Sequence, residues 1–64
     1  MNDFKLAINT INKIIYKLSN DDILILKKMF NDINSSKNDS NNFNRNLLIS
    51  RFINFSKYLF NKYN

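Results

Sequence analysis

Glycine, proline, cysteine, histidine, tryptophan, valine, glutamine and glutamate are all missing from this chain of 64 residues. Without Cys or His there is no soft metal ligand, no disulfide and none of the usual nucleophile–base pairs. Without Gly there is no phosphate-cradling turn of the kind nucleotide enzymes use. The only acids are five Asp. Asp21 and Asp22 are sequential, so at a helix start they point different ways and cannot converge on a cleft as a catalytic pair. Asp32 and Asp39 lie in a stretch without the alternating oxygen ligands and central Gly of a calcium loop. These gaps predict a non-enzymatic protein with no catalytic residue, cofactor or metal. No apolar run approaches the roughly 18 residues that span a bilayer; the longest, Ile23 to Leu26, is bracketed by charge. Met1-Asn2-Asp3-Phe4-Lys5 lacks the basic-then-apolar layout of a secretory signal. The expectation is a soluble intracellular protein, in cytoplasm or organelle, with membrane association unfavoured.

What is present is 14 Asn, 9 Ile, 8 Lys, 7 Leu and 6 Phe, the residues that AT-rich codons accumulate. Ten basic against five acidic residues give +5 and a pI near 9.8, a balance that attracts polyanions. The charge is uneven. Residues 1–18 carry +2, 19–34 carry −1, 35–43 carry none and 44–64 carry +4. Coding bias accounts for many lysines, but less well for a last segment that holds both arginines and no acid.

Apolar spacing of three and four predicts helices at about 4–18, 21–33 and 44–63. In the first, Phe4, Ala7, Ile8, Ile11, Ile14, Ile15 and Leu18 form one stripe behind Asp3 as N-cap, and Leu6 is misplaced. Ser19 to Asp22 are poor helix-interior residues, read as a stop and a new cap at the Asp pair. A single helix over 4–33 is the alternative. Ile23, Leu26, Met29, Phe30 and Ile33 line the second helix, and Leu24 lies on its wet side. Residues 34–42 hold no apolar side chain and read as a mobile polar loop. Asn42 or Asn44 caps the third helix, whose apolar arc (Leu48, Ile49, Phe52, Ile53, Phe55, Leu59, Phe60, Tyr63) is unusually broad. Either both other helices bury it or part of it meets a partner. The predicted fold is one all-α domain, a three-helix bundle or else a long helical hairpin, with a core of Ile8, Ile11, Ile15, Leu18, Leu26, Phe30, Ile33, Phe52, Phe55 and Leu59.

The third helix carries the most pointed signal, because its four charges, Arg45, Arg51, Lys57 and Lys62, are all positive. Arg51, Tyr58 and Lys62 fall along one edge with Asn54 beside them. A guanidinium, an amide, a phenol and an ammonium in that order can follow a phosphate backbone while Tyr58 stacks on a base. Lys13, Tyr16 and Lys17 form a lesser cluster of the same kind, better read as a solvated face. The predicted function is RNA binding within a ribonucleoprotein. The alternative is a protein–protein module, such as an adaptor, accessory subunit or mobile-element inhibitor, acting through the broad apolar face or by homo-oligomerisation.

Three stretches also carry a family resemblance. Leu18-Ser19-Asn20-Asp21-Asp22-Ile23, Leu26-Lys27-Lys28-Met29-Phe30-Asn31 and Ile49-Ser50-Arg51-Phe52-Ile53 are similar to runs in the small helical-hairpin proteins of the large ribosomal subunit, near the nascent-chain tunnel exit. That resemblance implies that Arg51 and Lys57 contact ribosomal RNA. Ser50 and Phe55 stand where that family carries arginine, and residues 1–17 add a helix to its hairpin.

Overall fold

The computed structural model describes residues 3–36 and 42–63. Helix α1 spans Asp3–Ile14 and tightens into a 3-10 turn at Ile15–Lys17; α2 spans Asn20–Ser35 and α3 spans Asn42–Tyr63. Among the described residues there is no strand, and the three helices pack together as an all-α three-helix bundle. Phe4 meets Phe52 and Lys17 reaches Tyr63, so α1 and α3 run parallel. Asp22 meets Lys62 and Arg45 meets Ile33, so α2 runs antiparallel to α3.

Residues 4–33 do not form one helix, and the way they break follows from composition. With no Gly to take a left-handed cap, α1 ends by winding tighter. The Leu18 amide donates to the Ile15 carbonyl at 3.2 Å, and Leu18 and Ser19 then run extended, with ψ of 141° and 161°. No described residue has positive φ. Ser19 is the N-cap of α2, its hydroxyl accepting from the Asp22 amide at 3.2 Å. This corrects the expected cap at the Asp pair: the hydroxyl one turn back reaches the free amide first. Asp3 likewise sits inside the first turn of α1 rather than before it, where its charge still favours the helix dipole.

At its other end α2 runs to Ser35, beyond the predicted stop at Ile33. The reason is a satisfied terminus. The Ile33 carbonyl accepts from the Ser36 hydroxyl at 2.6 Å and from Arg45 Nη1 at 3.3 Å, which supplies partners that the last turn otherwise lacks. Of the expected polar loop, residues 37–41 lie outside the described residues. Helix α3 begins at Asn42, so Asn44 lies within it.

The core consists of Ala7, Ile11, Ile14, Leu18, Leu26, Ile33, Phe52 and Leu59, with Phe52 and Leu59 completely enclosed. Phe52 ties the bundle together, 5.3 Å from the Phe4 ring of α1 and 4.8 Å from the Phe30 ring of α2. Ile8, Phe30 and Phe55 pack against this core half-buried. Ile15, expected inside, is exposed, because the buried stripe runs through 7, 11, 14 and 18 and Ile15 lies most of a quarter-turn off it. The broad apolar arc of α3 is met from two sides, by α1 and by α2. Ser56 sits buried within that arc, its hydroxyl donating to the Ile53 carbonyl at 2.7 Å, so it brings no unsatisfied polar atom into the interior. Leu6 and Leu24 remain exposed, as their positions off the stripes require.

Candidate nucleic-acid interface

At one end of the bundle the 3-10 turn, the start of α2 and the end of α3 converge on Tyr63. Its hydroxyl donates to Asp22 Oδ2 and accepts from the Ser19 amide at 3.0 Å. Lys62 Nζ donates to the same Asp22 oxygen at 3.1 Å. Lys17 Nζ donates to the Tyr63 carbonyl at 3.4 Å, one of the acceptors that a helix C-terminus leaves open. Asp22 is 6% exposed, so it is a buried carboxylate held by an ammonium and a phenol. The Tyr63 hydrogen bond does most to hold its carboxyl below the ordinary 3.8; burial opposes, and Lys62 and Ser19 add to the lowering. The Lys62 ammonium is pushed above 10.5, first by its hydrogen bond to Asp22 and against the cost of burial.

All three tyrosines of the chain are found here with two of its lysines. Lys17 Nζ lies 5.7 Å from the Tyr16 ring centre, and Lys62 Nζ lies 5.8 Å from that of Tyr58 and 5.2 Å from that of Tyr63. Such distances allow cation–π attraction. Tyr16 is 78% and Tyr58 54% exposed. Phe55 stacks against Tyr58 at 5.8 Å, with 19° between the planes, and so supports one face of the phenol.

The residues singled out from sequence separate into three groups. Tyr58 and Lys62 come together, and Arg51 lies on the same stripe, roughly 16 Å from Lys62 at 1.5 Å per residue. There Arg51 borders the α2–α3 groove with Lys28 and Asp32. Arg45 is withdrawn from the edge, since its guanidinium serves the end of α2. Lys57 is turned to the opposite flank of α3, into the groove with α1, and Asn54 is exposed between the flanks. Lys62 is only partly available, because Asp22 already holds it. Three members were not expected at the site from sequence: Lys28, Tyr63, read as part of the apolar arc, and Asp22, read as a helix cap. Tyr16 and Lys17, read there as a solvated face, border the same end. The pairing of Asp22 with Lys62 and Tyr63 spans 40 and 41 residues and leaves no local pattern.

Four cations, Lys17, Lys28, Arg51 and Lys62, thus border this flank with three carboxylates: Asp22, buried and already bonded to Lys62, and Asp21 and Asp32 on the α2 stripe that carries Lys28. Among the described residues no group of three potential ligands is placed to hold a metal ion, and no helix is long and apolar enough to cross a membrane. Comparison with known protein families, curated proteins and solved structures finds no match to this chain.

Proposed function

We propose that the protein is a non-enzymatic RNA-binding component of a ribonucleoprotein, and that it holds a single-stranded segment along the flank from Arg51 to Tyr16. The observation that carries this reading is the pair of exposed tyrosines, Tyr16 and Tyr58, each with a lysine ammonium within 6 Å of its ring. Rings accept unpaired bases by stacking whatever the sequence, and adjacent cations hold the backbone. Arg51 extends the charge along the stripe, and the α2–α3 groove beside it is lined by Lys28.

The test is fluorescence anisotropy with a short labelled poly-uridine RNA, titrated at several salt concentrations. About three phosphate contacts give a logarithmic salt slope near −2 for a single strand. Replacing Tyr58 by Ala loses about 1 to 3 kcal/mol, roughly 5- to 150-fold in affinity. Lys62 also anchors Asp22, so Arg51→Ala/Tyr58→Ala is the cleaner double variant. A flat salt dependence, or unchanged affinity in that variant while its helical circular dichroism is intact, would refute the reading.

A further inference from the structure

On the opposite flank of α3 a groove of about 490 Å³ runs between α1 and α3. Its apolar lining is Leu6 and Ala7 from α1 with Ile53 and Phe60 from α3, and its charges are one acid, Asp3, and one base, Lys57. Leu6 is 53% and Phe60 38% exposed. Neither Asp3 nor Lys57 has an ion-pair partner among the described residues. We propose that this groove is the interface of a two-fold symmetric dimer, with a second copy of the chain as its occupant.

The argument rests on self-complementarity. A two-fold interface places the same surface against itself, so every contact between one residue and another occurs twice with the copies exchanged. A surface carrying a single charge sign opposes itself in that arrangement. A surface with one acid and one base pairs Asp3 of each copy with Lys57 of the other, while Leu6 and Phe60 leave water together. The α2–α3 flank carries more cations than free carboxylates, whereas the charges lining the α1–α3 groove balance one for one. Because the groove faces away from Arg51 and Tyr58, the dimer leaves two basic flanks outward. The inference does not depend on RNA binding.

The face is two helices wide and about 12 Å long, from Ile53 to Asn61 at 1.5 Å per residue, below the size of most stable interfaces. Weak association, micromolar or weaker, is therefore expected. Sedimentation equilibrium on the full chain, run to about 1 mM, reads it. Wild type is expected as a monomer–dimer equilibrium, and Phe60→Gln lowers the association constant about tenfold or more. Asp3→Lys and Lys57→Asp each associate weakly alone, because like charges then face one another. Mixed in equal amounts they associate as heterodimers, since both exchanged pairs are complementary again. A monomeric wild type at the highest concentration overturns the proposal. So does association of the single variants equal to wild type, or a mixture of folded variants that stays monomeric.

Discussion

Replacing Phe52 tests the packing most directly. Its side chain has no exposed surface and touches one aromatic ring from each of the other helices, so Phe52→Ala opens a cavity where all three helices meet. Phe→Ala in a core costs about 3 to 5 kcal/mol, part of it from the two ring pairs at about 0.5 to 1.5 kcal/mol each. A 64-residue domain has about 3 to 10 kcal/mol in total at 0.05 to 0.15 kcal/mol per residue. The variant should therefore lose most of its stability and melt broadly, without a cooperative transition. Phe52→Leu keeps most of the volume and should cost about 1 to 1.5 kcal/mol, a fall in Tm of roughly 5 to 10 °C for a domain of this size. Phe60→Ala removes a ring of equal size that is 38% exposed, and should cost the monomer about 1 to 2 kcal/mol. The assay is thermal and urea unfolding followed by circular dichroism at 222 nm, run dilute enough to exclude association. If Phe52→Ala melts cooperatively within a few degrees of wild type, or no worse than Phe60→Ala, then the three helices do not depend on that contact.

Two further outcomes follow from the polar contacts. The Asp22 carboxyl titrates below its ordinary 3.8 in the folded chain, so its contribution to stability is present in full above that pH. It is lost as pH falls through 3.8 and below; urea midpoints should drop there, and Asp22→Asn should flatten the drop, while an unchanged acid slope would contradict the assignment. Arg45 donates to the last turn of α2, so Arg45→Met should cost about 1 kcal/mol of stability and, under the proposed RNA binding, leave the affinity and its salt slope unchanged; a slope reduced by about one would return Arg45 to the proposed interface.

Much of the fold is legible locally, because an α-helix repeats its pattern within four residues. The stripe predicted for α1 contains the buried Ala7, Ile11, Ile14 and Leu18, though the core expected from it took Ile8 and Ile15 in place of Ala7 and Ile14. The misfits Leu6 and Leu24 are exposed because they lie off their stripes. Ile15 and Ser19 show the limit of this reasoning. Two isoleucines in succession both fit a stripe, and only the docked helix decides that Ile14 is inside. Ser, Asn and Asp all cap helices, and only the backbone entering α2 decides which reaches the free amide. The expected basic edge suffers more. Its residues are correctly placed on the helix, but sequence spacing says nothing about a carboxylate on another helix that competes for the same lysine.

The amino-acid sequence alone determines a good deal: no Cys- or His-based chemistry, no glycine-built loop, and a helical chain with its positive charge gathered in the last segment. Those follow from composition and from periodicities within one turn. Tertiary structure alone decided how that charge is spent. Arg45 serves a helix terminus, Lys57 faces α1, Lys62 is shared with Asp22, and Arg51 and Tyr58 face outward beside α2. These roles depend on which helix faces are brought together across 40 residues of chain. That is set by how side chains of all three helices fill the space around Phe52 and Leu59, and no single helix encodes it.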